Sequence, residues 1–160
     1  MTLTLRQGLL GVAAISVMGA AFELAAERHW QTSQQLVPWA ALAVLVVALA
    51  VCALGRSPRG VAVVRVIAVA VLLAAMFGVY AHVSANFASG PLDQQYADTW
   101  DTLGPLTQWW YALSKTVGPT PPLAPGMLAQ SALLLVLATF TSRPRAGVPE
   151  ETRTREPGLR

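Results

Sequence analysis

The stretch VAVVRVIAVAVLLAAMFGVYAHV, Val61–Val83, decides the fold of this chain, because it is almost wholly apolar and Arg65 is its one formally charged residue. A helix needs about 20 mostly apolar residues to cross the hydrocarbon core of a bilayer. Three further stretches have the same character: Gly8–Glu27, Leu36–Gly55 and Pro125–Thr141. The sequence therefore predicts an all-α protein, a bundle in which four helices cross a membrane.

The composition also favours a membrane protein. Hydrophobic residues make up 54% of the chain and charged residues 12%, whereas soluble domains carry about 25% charged residues. We expect one membrane domain, residues 1–141, followed by a tail, residues 142–160. The tail is rich in arginine and proline and poor in apolar side chains, so it is expected to be disordered in the cytoplasm.

The positions of Lys and Arg predict the orientation of the spans. Nine of the 11 basic residues lie before the first span, around the connection between the second and third spans, or after the fourth. Cytoplasmic flanks of membrane proteins are enriched in Lys and Arg. Both termini are therefore expected inside the cell, with residues 27–35 and the loop 84–124 outside. Membrane orientation accounts for the basic residues, and no nucleic-acid-binding pattern accompanies them.

The first span also has features of a secretion signal. Arg6 precedes an apolar run that contains the small residues Gly19, Ala20 and Ala21, as a cleavage site would require. The apolar run continues through residues 22–26, beyond that site. We expect the span to be retained; cleavage, which would leave three spans with the C-terminus still inside, is the alternative.

Two spans carry small residues on one helical face, at steps of three and four residues that end in polar groups. The members of the two faces are Ala13, Ser16, Ala20, Glu23 and Glu27 in the first span, and Ala75, Gly78, His82 and Asn86 in the third. Small residues let helix backbones approach closely in lipid. We expect the two faces to pack on each other.

The outer loop is long enough to form structure of its own. Its segment 96–115 mixes acidic and aromatic residues, which is typical of short helices at the membrane interface, where Trp and Tyr rings favour the headgroup level. Gly104–Pro105 is expected to divide the segment into two pieces. A cap over the helix ends is the first interpretation, and a ligand or partner surface the second. The aromatic cap consists of Trp100, Trp109, Trp110 and Tyr111.

Five polar residues at the outer ends of the spans form the candidate functional cluster: Glu23, Glu27, His29, His82 and Asn86. Ionisable groups in spans are rare and are often functional. Imidazole and carboxylate suit zinc, copper or nickel, but no pair here has the His-x-x-x-His spacing of a strong metal motif. Structural hydrogen bonds, a metal site and a small-molecule binding or permeation site all remain open.

The sequence contains no reactive constellation that indicates an enzyme. It has neither a Gly-rich phosphate loop nor a Gly-x-Ser-x-Gly elbow. Cys52, the one cysteine, lies within an apolar span and is expected to fill the core. We therefore expect neither catalysis nor a cofactor.

Several short motifs follow one another in order along the four spans. They are Glu23-Leu24, His29, Gln35 and Pro38, then Gly78-Val79-Tyr80-Ala81-His82 and Asn86, then Leu123-Ala124-Pro125-Gly126 and Gln130. Over about residues 9–140, this arrangement resembles a family of short, uncharacterised bacterial four-helix membrane proteins. The resemblance implies the same four spans in the bacterial inner membrane and implies no activity. Family members often have acidic residues after the position of Asn86, where this chain has Phe87-Ala88-Ser89.

These observations leave two hypotheses for the function. In the first, the chain is a non-catalytic subunit or interaction protein of the bacterial inner membrane, in contact with lipid and with other membrane subunits or copies of itself. In the second, the candidate cluster forms an outer-face site near His29 and His82 that binds or passes a metal ion or a small molecule.

Overall fold

The computed structural model describes residues 3–55 and 57–141, and its regular elements within these ranges are all helical. The long helices are α1 (Leu5–Ala26), α2 (Val37–Leu54), α3 (Pro58–Ser89) and α5 (Gly126–Phe140), and a short helix, α4 (Pro105–Leu113), lies between α3 and α5. Three-residue 3-10 turns occur at Gln34–Leu36, Gly90–Leu92 and Trp100–Thr102. The predicted tail, residues 142–160, lies outside the described residues.

Three of the helices, α1, α2 and α3, are long and apolar enough to cross a membrane. Helix α3 has 32 residues and continues for six residues beyond the predicted end of its span at Val83. Helix α5 is apolar but has only 15 residues. Its length of about 22 Å is less than the roughly 30 Å of a typical hydrocarbon core.

Local sequence signals set the helix ends. Thr4 and Gln7 form a capping box at the start of α1, in which Thr4 Oγ1 accepts from the Gln7 N–H at 3.3 Å and Gln7 Oε1 accepts from the Thr4 N–H at 3.0 Å. Ser57 caps α3 by accepting from the Gly60 N–H at 3.0 Å, and Pro58 follows in the first turn, where its missing N–H costs nothing.

Helices α1, α2, α3 and α5 share one hydrophobic core. Helix α5 packs against α1 and α3, and α2 packs against α1, α3 and α5. Fully buried core residues come from all four helices: Ala13, Leu45, Ala48, Val64, Ala68, Val71, Ala132 and Leu135.

The small-residue faces of α1 and α3 do not pack on each other, so that prediction is wrong. Helices α1 and α3 each pack against α5 instead, and the outer ends of the two faces border a shared cavity. A Cβ added at Gly19 would lie 3.1 Å from Met127 Cε, and one added at Gly78 would lie 2.9 Å from Pro125 Cγ. A small-residue pattern indicates a close approach but does not identify the neighbour.

The helix faces that point away from the core are apolar too. Ile15 and Phe22 on α1 are 69% and 77% exposed, and Leu73 and Met76 on α3 are 62% and 68% exposed. Apolar faces of this extent are unfavourable in water. They support the assignment of the chain as a membrane protein.

The bundle has two distinct ends. At the arginine end, formed by Leu5–Arg6, the link after Leu54 and Thr139–Thr141, Arg6 donates to the carbonyls of Cys52 and Gly55. These carbonyls lie at the C-terminus of α2, where intrahelical donors run out and a cation is favoured. On α3, Arg65 Nε donates to Thr139 Oγ1 at 3.2 Å, and its guanidinium lies 4.3 Å from the centre of the Phe140 ring. The loop end comprises Glu27–Leu36 and Gly90–Pro125.

Arg28 and Lys115, the two basic residues of the loop end, occupy matching backbone positions. Both have positive φ, 51° at Arg28 and 58° at Lys115. Each lies just past the end of a helix, where the following N–H returns to a carbonyl of the last turn: His29 to Leu24 after α1, and Thr116 to Tyr111 after α4. A positive charge is favourable there because of the helix dipole.

Gly78→Ala should destabilise the protein by about 1–3 kcal/mol, because the added Cβ would overlap the rigid ring of Pro125. Gly11→Ala is the matched control, since nothing lies within 4 Å of a Cβ at that helical position and alanine is the better helix former. Unfolding of the purified protein in mild detergent measures both. Equal stability of the two variants would contradict the packing of Gly78 against Pro125.

Candidate functional site

A cavity of about 290 Å³ opens at the loop end of the bundle. Its walls come from the last turns of α1, the link between α1 and α2, the outer half of α3, and the chain that enters α5. Phe77, Pro125 and Leu128 contribute apolar surface. The carboxylates of Glu23 and Glu27 and the imidazoles of His29 and His82 contribute ionisable groups. This is the mixture expected of a small-molecule site, at the lower end of the usual size range.

The link between α1 and α2 is held in place by its own hydrogen bonds. Gln35 Oε1 accepts from the Gln31 N–H at 2.6 Å and the Thr32 N–H at 3.2 Å. Trp39 Nε1 donates to the His29 carbonyl at 2.8 Å, and the Trp39 ring lies 6.2 Å from that of Trp30. The link therefore forms a fixed wall of the cavity.

His29 and His82 meet across the cavity, with ring centres 6.4 Å apart. His82 Nδ1 lies 2.7 Å from the carbonyl oxygen of Pro121. A carbonyl only accepts, so Nδ1 carries the proton, and in the neutral ring Nε2 is left as an acceptor. This contact fixes the ring of His82 to the chain that leads into α5.

Asn86 is separate from the other four residues of the candidate cluster. It is fully buried, and it does not line the cavity. Its Nδ2 donates to the carbonyls of Ala112 at 3.0 Å and Thr120 at 2.8 Å, and its Oδ1 accepts from the N–H of Thr120 at 3.0 Å and the hydroxyl of Thr120 at 2.7 Å. All of its amide groups are used to hold the end of α4 and the return loop, residues 114–125 between α4 and α5, on α3.

The return loop passes very close to α3. Gly118 has φ of 81°, and a Cβ there would lie 2.3 Å from Asn86 Oδ1. Only glycine fits both the backbone conformation and the space. Thr120 completes the junction, since its hydroxyl also lies 2.9 Å from the carbonyl of His82.

Glu23 and Glu27 line the same cavity at different degrees of exposure. Glu23 is half-buried and Glu27 is exposed. No side chain among the described residues forms a hydrogen bond or an ion pair with either carboxylate. The two acids are therefore available to a ligand.

A metal ion is poorly accommodated by this arrangement. Among residues 3–55 and 57–141, no three His, Cys, Asp or Glu side chains come close enough together to hold one. Glu23, Glu27, His29 and His82 surround a shared space without converging on one point. The metal alternative thus loses support relative to a small molecule.

The aromatic cap forms a second small core beside the outer turns of α3. Trp100 is buried, 3% exposed, together with Val83, Ala112 and Val117. The ring of Trp100 fills the space left by Gly90, where an added Cβ would be 2.3 Å away, so it packs against protein and is largely shielded from its surroundings. Helix α4 begins at Pro105, and the break expected at Gly104–Pro105 is present.

The other cap aromatics lie nearer the surface. Trp109 and Trp110 are 41% and 62% exposed, and Trp109 stacks on Phe87 with ring centres 4.7 Å apart. The rings of Tyr96 and Tyr111 are 4.9 Å apart. Desolvation is the main cause that raises the pKa of Tyr96 above its ordinary value, and the neighbouring Tyr111 is a smaller one.

Sequence reasoning missed three residues of the site: Phe77, Thr120 and Pro121. Phe77 sits in an apolar span with nothing to distinguish it from lipid-facing neighbours. Thr120 and Pro121 lie in a Pro-rich connection. Gly118, close to them in the sequence, was the one signal that this connection passes close to another part of the chain.

Comparisons of the chain with protein-family models, with curated proteins and with solved structures found no match. The function therefore has to be argued from the geometry of the site.

Asn86→Ala should release the return loop, because it leaves buried carbonyl and N–H groups without partners, at a cost of about 2–3 kcal/mol. We expect trypsin to cut the purified protein after the exposed Lys115 at least about tenfold faster, in proportion to the population of the open loop. Cleavage after Arg28 should not change. Ser89→Ala is the control, since that hydroxyl bonds only to Ala85 of its own helix. An unchanged rate at Lys115 in the Asn86 variant would contradict this role.

Proposed function

We propose that the chain is a non-catalytic, multi-span protein of the bacterial cytoplasmic membrane that binds a small organic molecule in the cavity at its loop end. The cavity carries the proposal. It combines an apolar base with unpaired carboxylates and two imidazole rings, whereas the rest of the described surface of the helices is mainly apolar. We further propose four spans with both termini inside, so that the cavity faces the periplasm.

The distribution of arginine supports this orientation. Arg6, Arg59 and Arg65 belong to the end of the bundle opposite the cavity, and cytoplasmic flanks retain basic residues. Arg28 and Lys115 have local positions that favour a cation at a helix C-terminus. Their presence at the loop end is thus compatible with an external location.

The short helix α5 is compatible with a fourth span because neighbouring protein covers its ends. Arg65 contacts Thr139 at one end, and Gly78 adjoins Pro125 at the other. Arg65 and Gly78, the α3 residues that make these contacts, are 13 residues apart, or about 20 Å along the helix. The return loop, which precedes Pro125 in the chain, runs along the part of α3 nearer the loop end. Its polar groups are bonded to Asn86 and His82. Irregular backbone at membrane depth is tolerated when it is buried in protein in this way.

The alternative, a subunit or interaction protein without a ligand, is supported by the exposed apolar helix faces. A lipid bilayer covers such faces as well as a partner protein does. That hypothesis also leaves the cavity and its unpaired acids without a role. Ligand binding is therefore the better account of the structure.

Thiol labelling tests where the cavity opens. In a Cys52→Ala background, Ala81→Cys places a thiol on the cavity wall, and Ala68→Cys places one in the core of the same helix, at a position 1% exposed. A membrane-impermeant maleimide applied to the periplasmic side should label the first variant and not the second. Labelling of Ala81→Cys only from the cytoplasmic side would contradict the proposed orientation.

Cavity filling tests ligand binding. A compound that raises the melting temperature of the purified protein should lose this effect in Ala81→Phe, whose ring would occupy the cavity, and keep it in Ala88→Phe, at an exposed position outside the cavity on the same helix. Equal effects in the two variants, or no stabilising compound in a broad screen, would count against a ligand site.

A further inference from the structure

The charge on the cavity wall indicates which class of molecule the site accepts. Glu23 and Glu27 contribute carboxylates, and none of the Lys and Arg residues within 3–55 and 57–141 lines the cavity. Arg28 directly follows Glu27, but it is exposed and does not line the cavity. The carboxylates of Glu23 and Glu27 therefore dominate the charge of the described lining.

Glu23 is the lining carboxylate that lies deepest in the cavity. It lies four residues before Glu27, about 6 Å deeper along the helix, and it is half-buried beside apolar surface. No side chain among the described residues pairs with this carboxylate. It is therefore free to accept a charge-assisted hydrogen bond from a cation that enters the cavity.

The remaining lining restricts the shape of this cation. Phe77 and Leu128 offer an apolar surface to the body of a ligand, and an aromatic ring also attracts a cation. His82 Nε2, left as an acceptor by the bond from Nδ1 to Pro121, suits an N–H donor. A bare metal ion is disfavoured because no three potential ligands converge among the described residues.

We infer that the cavity binds a small organic ammonium ion, with its charged group beside Glu23 and its apolar body against Phe77 and Leu128. This inference rests on the proposed function, since it names the chemical class of the ligand for the same cavity. It does not depend on the number of spans.

Three probes of nearly the same shape test the charge requirement: 2-phenylethylammonium, the neutral 2-phenylethanol and the anionic 3-phenylpropanoate. Their binding is measured by calorimetry on the full chain in nanodiscs, with empty nanodiscs subtracted to remove partitioning into lipid. We expect the ammonium to bind at least about tenfold more tightly than the alcohol, the ratio that a charge-assisted hydrogen bond provides. The carboxylate should show no saturable binding.

Glu23→Gln removes the charge while keeping the shape of the side chain. This variant should lose the preference for the ammonium over the alcohol, and its retained binding of the alcohol would show that the cavity is intact. Asp98→Asn, which neutralises an exposed acid of the cap outside the cavity, should keep the preference.

The outcomes separate the inference from the proposed function. Alcohol binding equal to ammonium binding, or an undiminished preference in Glu23→Gln, overturns the ammonium class and leaves a ligand site in place. The absence of saturable binding for all three probes overturns the inference, and the Ala81→Phe comparison then decides whether the proposed function fails as well.

Discussion

The difference in length between two neighbouring helices constrains the rest of the structure. Helix α3 has 32 residues and α5, which packs beside it, has 15. The space next to the outer turns of α3 is filled by the return loop, in which only some backbone polar groups bond to other backbone groups. Asn86 and His82 supply the missing partners. A polar residue in an apolar span thus has a structural cause here.

The same constraint creates the cavity. Because the chain enters α5 at Pro125, close to Gly78, the outer part of α3 faces the return loop on one side and the end of α1 on another. His82 takes part in both arrangements, through its bond to Pro121 and through its place on the cavity wall. We therefore expect the proposed ligand binding to depend on the position of the return loop. Glu23 has no comparable structural partner among the described residues, which is why it is the better candidate for contact with a ligand.

Much of the helical layout follows from the sequence, because apolar length and flanking signals are local properties. Helices α1 and α2 lie within three residues of the predicted spans. The extension of α3 to Ser89 was not predictable, since it depends on Val83 and Asn86 packing against the cap and the return loop. The burial of Trp100 depends on the space at Gly90, ten residues away in the chain. Composition alone does not distinguish an interfacial Trp from a buried one.

For the candidate cluster, too, the local sequence predicts positions but not tertiary contacts. The helical repeat and the topology placed Glu23, Glu27, His29 and His82 at the outer ends of their spans, and the structure brings these four to one cavity. Asn86 shares a helical face with His82, yet its side chain is used by Ala112 and Thr120. Helical periodicity gives the face of a residue, but the loop that meets this face is determined by tertiary packing.

The location of the chain after Thr141 tests the account most directly, because it decides whether the short helix α5 crosses the membrane, as we propose for α1, α2 and α3. Alkaline phosphatase, which is active only in the periplasm, and a green fluorescent protein that fluoresces only in the cytoplasm are fused after Thr141, with fusions in the link after Leu54 as the cytoplasmic reference. We predict fluorescence without phosphatase activity at both positions. Phosphatase activity after Thr141, with fluorescence after Leu54, would show three crossings and would contradict the four-span bundle with a periplasmic cavity.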